Sequence, residues 1–217
     1  MMHSSSGALF ADAPTTLVLD LGAMLLCGFA CDDAGALLAA IAAVADRARL
    51  RHMSTPGGRE MSVAMTNCGD VGWVSDRAGY RYDARDPDSG RRWPAMPPVF
   101  ERLAAGAAAA AGYAGFAPDA CLINRYVPGA RLSLHQDRDE RDFNAPIVSV
   151  SLGLPVTFLW GGATRGGRVR RVPLEHGDVV VWGGPARLTH HGILPLAEGT
   201  HPLTGMLRYN LTFRRAL

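Results

Sequence analysis

The stretch Arg131-Leu132-Ser133-Leu134-His135-Gln136-Asp137 decides the fold. Apolar and polar residues alternate along it, and in a strand successive side chains point to opposite faces. The alternation places His135 and Asp137 on one face and Leu132 and Leu134 on the other. Working outward, the same period of two recurs in short segments at 121–126, 147–152, 156–160, 169–174, 179–182 and 205–213. These segments are rich in β-branched or aromatic residues and are separated by Gly and Pro, the signature of successive antiparallel strands. Two helical patterns precede them. Residues 32–50 carry Leu37, Leu38, Ile41, Val44 and Ala45 at spacings of three and four, with Asp32 or Asp33 available as a cap. Residues 98–113 begin with Pro, end near Gly112 and are filled with Ala. The expected fold is α+β, mainly β: an antiparallel barrel or double-sheet jelly roll buttressed by N-terminal helices.

Between the helices, residues 51–98 are punctuated by Gly57, Gly58, Gly69, Gly72, Gly79, Gly90, Pro94, Pro97 and Pro98, with two short extended pieces expected at 61–66 and 79–82. An irregular stretch of that length inside a compact domain is usually functional, which marks it as a candidate substrate lid. Residues 1–15 are small and polar and read as a flexible N-terminus, leaving 16–217 as a single domain.

At 217 residues the chain can bury one sizeable core, and a formal net charge of +2 permits contact with a polyanion without announcing it. Every basic side chain except histidine is arginine. Cys27, Cys31, Cys68 and Cys121 form no CxxC pair, which points to reduced thiols in the cytoplasm, and no segment approaches the ~20 apolar residues of a membrane span.

His135 and Asp137 supply half of a metal site. A second histidine converts the pair into a 2-His-1-carboxylate facial triad. His190 and His191 follow the apolar segment 179–182, and spacing alone does not choose between them. The last segment, Arg208-Tyr209-Asn210-Leu211-Thr212-Phe213-Arg214, puts Arg208, Asn210, Thr212 and Arg214 on one face. Turned outward, this is ordinary solvated surface. Turned inward, two guanidinium groups require anions, and Arg208 and Arg214, ~20 Å apart at ~3.3 Å per residue, could lean together on a small diacid.

The order HxD, then His, then RxNxTFR resembles the AlkB family of iron(II)- and 2-oxoglutarate-dependent dioxygenases. The resemblance extends to Met61-Ser62-Val63-Ala64-Met65-Thr66-Asn67-Cys68-Gly69, Cys121-Leu122-Ile123-Asn124-Arg125-Tyr126, and the runs at 147–155 and 176–184, covering most of the chain from about Leu17 onward. It implies a double-stranded β-helix with a nucleotide-recognition lid, and repair of N-alkylated DNA bases such as 1-methyladenine and 3-methylcytosine with Fe(II), 2-oxoglutarate and O2. It selects His191 over His190, giving His135, Asp137 and His191 as iron ligands. It assigns Asn124, Tyr126, Arg208, Asn210 and Arg214 to 2-oxoglutarate, with Leu122, Leu132 and Ser149 lining the same pocket. Met65, Trp73, Tyr80, Asp139 and Arg165 fall on substrate positions. The loop 83–93, the hairpin 164–171 and the pair Thr189-His190 depart from the family pattern and bear on strand preference and sequence context.

The expected partner is alkylated DNA, single-stranded or with a flipped base, because the attacked methyl lies on the Watson-Crick edge. The chain is expected to act as a monomer away from membranes. Two alternatives stand beside this reading. One keeps the chemistry but directs it at RNA, tRNA or protein. The other is a non-enzymatic jelly-roll binding module, and it requires Arg208 and Arg214 to face solvent.

Overall fold

The computed structural model describes residues 15–164 and 166–217. The elements run β1 (Thr16–Asp20), β2 (Ala23–Leu26), α1 (Ala34–Arg47), β3 (Arg51–Ser54), β4 (Glu60–Gly69), β5 (Gly72–Asp76), β6 (Gly79–Asp83), α2 (Pro98–Ala110), β7 (Ala120–Tyr126), β8 (Leu132–His135), β9 (Ile147–Gly153), β10 (Val156–Trp160), β11 (Arg170–Leu174), β12 (Val179–Trp182), β13 (His191–Ile193) and β14 (Arg208–Arg214). An eight-stranded sheet has the order β1-β2-β12-β9-β14-β7-β4-β3, and a four-stranded sheet the order β11-β10-β13-β8. All pairings are antiparallel.

Strand alternation divides the large sheet cleanly. Cys121, Ile123, Val148, Val150, Val179, Val181, Leu211 and Phe213 pack outward against Leu37, Ile41 and Val44 of α1 and Phe100, Leu103 and Ala107 of α2. Leu122, Tyr126, Ile147, Val180 and Trp182 point the other way, meeting Val156, Phe158, Trp160, Leu174 and Ile193 of the small sheet. Helices therefore cover one face and the small sheet covers the other, which is the expected buttressed jelly roll. The site lies between the two sheets.

Both helices are shorter than their sequence patterns. Asp33 occupies the N-cap of α1 but its side chain makes no capping bond. The end of α2 is set by Gly112, whose φ of 88° lets its N–H reach Ala109 O (3.0 Å) and the Tyr113 N–H reach Ala108 O (2.8 Å). The Tyr113 hydroxyl then donates to Gly22 O at 2.8 Å, tying the helix to the β1–β2 turn.

The stretch 51–98 is more regular than its glycines suggest. β3 and β4 extend the large sheet beside β7, and only the β5–β6 hairpin stands apart from both sheets. Glycine serves close approach there: a Cβ on Gly72 would lie 2.5 Å from the Trp93 ring. The N-terminal stretch assigned to flexibility lies, up to residue 14, outside the described residues. Among the described residues no helix is long and apolar enough to cross a membrane, and all four cysteines are free.

Candidate metal and cosubstrate site

Strand pairing brings the two histidines together. His135 lies opposite His191 and Leu132 opposite Ile193, so β8 spends three residue steps where β13 spends two. This bulge breaks the alternation expected from the sequence. Leu132, expected on the face away from His135, instead packs with the inner core and lines the same cavity. β8 ends at His135, so Asp137 is presented by the segment just beyond the strand and not by strand alternation.

His135, Asp137 and His191 offer ligand atoms all within 4.8 Å of one another. His135 Nε2 is 3.7 Å from Asp137 Oδ1, and His191 Nε2 is 3.8 Å from Asp137 Oδ2. Each ring is oriented by the carbonyl two residues before it: His135 Nδ1 lies 2.8 Å from Ser133 O and His191 Nδ1 3.0 Å from Thr189 O. A carbonyl only accepts, so Nδ1–H is the donor in both, and both Nε2 lone pairs are left for a metal. Burial, reinforced by His135, pushes the His191 pKa down to about 4, which keeps it a neutral ligand. Burial works against the charge on Asp137, but Arg214, His191 and His135 outweigh it and hold the carboxyl well below the usual carboxylate range. The donor set and tautomers fit a divalent metal. His190 is turned aside, with Nδ1 3.0 Å from Gly162 O.

Both arginines of β14 face inward, Arg208 at 1 % and Arg214 at 6 % exposure, which removes the requirement of the non-enzymatic binding-module reading. The sequence leaned them together on one diacid; within the protein their partners differ. Arg214 donates from Nε (2.9 Å) and Nη2 (2.7 Å) to Asp137 Oδ2, and Nε lies 3.3 Å from Glu140 Oε1. Its anions come from the protein. Arg208 donates from Nη2 to Ser151 Oγ at 3.0 Å and lies 4.8 Å over the Tyr126 ring. Its Nε and Nη1 are buried without a partner, as is Asn124 Oδ1. Burial depresses the Arg208 pKa, and burial likewise raises that of Tyr126 to about 12. Asn210, two residues along β14 from Arg208, is fixed by donating to Ser149 Oγ (2.8 Å) and Val150 O (3.0 Å) and accepting from Asn124 Nδ2 and Thr212 Oγ1 (3.0 Å each). Unpartnered donors on a buried cation fit the distal carboxylate of 2-oxoglutarate.

These groups line one cavity of about 700 Å³, which also takes in Leu122, Ser149, Met65, Trp73, Tyr80 and Asp139. Trp73 and Tyr80, diagonal neighbours across the β5–β6 hairpin, stack at 5.6 Å, and Trp73 Nε1 donates to Asp139 Oδ2 at 2.8 Å. Arg165 lies outside the described residues. Sequence reasoning missed Tyr82, Glu140 and Arg187. Glu140 sits in the run Arg138-Asp139-Glu140-Arg141, which looks solvated, yet it is only 6 % exposed. Arg187 follows a Gly-Gly-Pro turn that carries no signal of burial.

Residues 22–214 match the model of the 2OG-Fe(II) oxygenase superfamily. The chain is similar to the alpha-ketoglutarate-dependent dioxygenase AlkB of Salmonella typhimurium and to that of Escherichia coli, each 58% identical over 96% of this chain and 97% of the relative. An AlkB homolog from Caulobacter vibrioides is 45% identical over 83% of this chain and 81% of its own length. Among solved structures, "The structure of OsALKBH1" superposes with a TM-score of 0.77 at 28% identity, covering 93% of this chain and 100% of that one. With its two-sheet fold, its His-Asp-His cluster and these relatives, the chain belongs to the AlkB family of 2OG-Fe(II) oxygenases.

Proposed function

We propose that this protein repairs DNA by oxidative demethylation of N-alkylated bases, with Fe(II), 2-oxoglutarate and O2 as cofactor and cosubstrates. The observation that carries the reading is one cavity holding both a preoriented His-Asp-His cluster and the Arg208 guanidinium, whose buried Nε and Nη1 have no partner. Iron bound with 2-oxoglutarate supplies oxidation of an N-methyl C–H bond, yielding succinate and CO2 and a hemiaminal that releases formaldehyde.

The chain's own residues do the rest. His135, Asp137 and His191 hold the metal on one face, and their carbonyl partners Ser133 and Thr189 fix the rings. Arg208 takes the distal carboxylate of 2-oxoglutarate, assisted by Tyr126, Asn124 and Asn210, while Leu122, Leu132 and Ser149 shape the wall around it. Arg214 acts on the cosubstrate end through Asp137. Met65 packs near the alkyl group. Trp73 and Tyr80 receive the base, and Asp139, now bonded to the Trp73 indole, is placed to accept from its exocyclic amine. A methylated adenine or cytosine is cationic, so a tryptophan face and a carboxylate favour it over the neutral base.

The base must leave its stack to enter, which is cheapest in single strands or where damage already prevents pairing. We read 16–217 as one catalytic domain with its lid within 51–98, acting as a monomer in the cytoplasm, with RNA as the competing polymer. The test is formaldehyde release from a 1-methyladenine oligonucleotide by purified protein. Release that requires both Fe(II) and 2-oxoglutarate is expected, and no release from metal-loaded protein overturns the reading. Rates on matched DNA and RNA strands distinguish the polymers.

A further inference from the structure

Three residues past Asp137, Glu140 is a buried carboxylate for which the chemistry above has no use. Its two oxygens have three partners: the Tyr82 hydroxyl donates to Oε1 at 2.6 Å, Arg214 Nε approaches Oε1 at 3.3 Å, and Arg187 Nη2 donates to Oε2 at 3.0 Å. Arg187 is buried as well, at 3 % exposure. Its remaining donors go from Nη1 to the Asp137 carbonyl at 2.8 Å and from Nε to Ala145 O at 3.1 Å. Asp137 is thus held twice, by its side chain through Arg214 and by its main chain through Arg187. Both arginines share Glu140 as counter-ion.

We propose that Glu140 is a positioning residue for the metal carboxylate, acting through Arg214 and Arg187; the proposal rests on the metal-site reading above. Two guanidinium groups face two carboxylates in this cluster, so the set is neutral before a metal binds. Because Glu140 shares Arg214, the arginine does not saturate Asp137: both of its bonds fall on Oδ2, and Oδ1 stays turned toward His135. Loss of the Glu140 charge leaves two cations competing for Asp137 and adds a positive charge where a dication must enter. Tyr82 closes the cluster from β6, the strand that also carries Tyr80, so Glu140 stands where the base-binding hairpin meets the metal ligands.

The experiment is a Mn2+ titration of the purified full chain with 2-oxoglutarate present, reading free Mn2+ by electron paramagnetic resonance. Glu140→Gln keeps shape and loses charge, and it is expected to weaken Mn2+ binding about tenfold, as loss of a partner behind a metal ligand does. Glu140→Asp, which restores the charge with a shorter reach, is expected to recover part of that loss. A Glu140 that merely holds the fold would lower the melting temperature and leave the Mn2+ affinity of the folded protein unchanged. Parent-like affinity in a cooperatively folding Glu140→Gln therefore overturns the proposal. Should Glu140→Gln not fold, Arg187→Lys keeps the charge but cannot span Glu140, Asp137 and Ala145 together. Weaker Mn2+ binding in it supports the proposal, and unchanged binding overturns it. Absence of Mn2+ binding by the parent protein overturns the metal-site reading itself, a result distinct from either.

Discussion

The two ends of β14 carry the same side chain in opposite circumstances. At one end Arg214 is enclosed by Asp137 and Glu140, and although burial works against its charge, these carboxylates raise its pKa. At the other end Arg208 is equally buried, touches one serine and one tyrosine ring, and keeps two donors unused. A buried cation without an anion costs several kcal/mol, and the Ser151 hydroxyl and the Tyr126 ring offset only part of that. The difference separates two roles that the sequence treats alike. Under the proposed function, the arginine whose anion the chain provides supports the metal ligand, and the one without an anion receives the ligand's carboxylate.

The largest effects are expected at the Arg214 end. Asp137→Ala removes a metal ligand and the anion that Arg214 faces. Formaldehyde release should fall to background, and urea unfolding should show a loss of about 3–5 kcal/mol, the usual cost of stranding one partner of a buried pair. Parent-like turnover in this variant would refute the triad. His135→Ala should abolish turnover with a smaller stability cost, because it strands no charge.

The contrast itself is tested by paired variants. Arg214→Met strands Asp137, while Glu140 keeps Arg187 and Tyr82, and should destabilise the metal-free protein by about 3 kcal/mol. Arg208→Met strands no carboxylate and replaces an unsatisfied cation with an apolar chain of similar length. Its metal-free stability should hold or rise, while the 2-oxoglutarate KM rises roughly a hundredfold, equivalent to about 3 kcal/mol of lost charge pairing. Equal stability losses in the two variants would erase the distinction.

This distinction marks the limit of what the sequence revealed. Alternation in 208–214 put both arginines on one face without saying which way it turns, and β14 turns it inward. Periodicity does not report which anion each one meets, because Asp137 and Glu140 reach Arg214 from a segment that is neither helix nor strand. His135 and Asp137 converge for a reason that the HxD spacing does not contain. His135 and Leu132 share a face through a bulge, and Asp137 joins the cluster from beyond the strand end. Glu140 and Arg187 went unseen because their charges cancel only across the fold; as sequence, they look like solvated surface. The family resemblance supplied what spacing could not, notably the choice of His191 over His190. β3 and β5 were hidden by the glycines around them, of which Gly72 packs closely against Trp93 while Gly58 and Gly79 meet open space at positive φ.

A carboxylate outside both ends of β14 sharpens the comparison by leaving it untouched. Asp139 is exposed and bonded to Trp73, not to either arginine. Asp139→Ala should reduce the preference for a cationic methylated base over a neutral one roughly fivefold, equivalent to about 1 kcal/mol for a partly solvated charge. Mn2+ affinity and the 2-oxoglutarate KM should not move. A fall in Mn2+ affinity would place Asp139 in the metal's support with Glu140 and not on the base.

The smallest effect belongs to the Arg208 end and comes from outside the cavity. His176 Nδ1 accepts the Gly153 N–H at 3.0 Å, and Gly153 is the residue paired with Arg208 across β9 and β14. The His176 ring lies 4.4 Å from that of His201. Burial first, then His201, lowers the His176 pKa below its ordinary 6.5, with Asp178 opposing. The unfolded chain therefore takes up this proton before the folded one does. Above the ordinary value neither state carries it and the contribution is flat; as pH falls below that value, stability is lost. A proton on Nδ1 also ends its role as acceptor for Gly153. Melting temperatures measured from neutral pH down through this window should decline, and His176→Asn, which keeps an acceptor near Gly153 without the titration, should decline less. Identical slopes in the parent and the variant would assign the acid sensitivity to another group and leave the Arg208 end of β14 independent of His176.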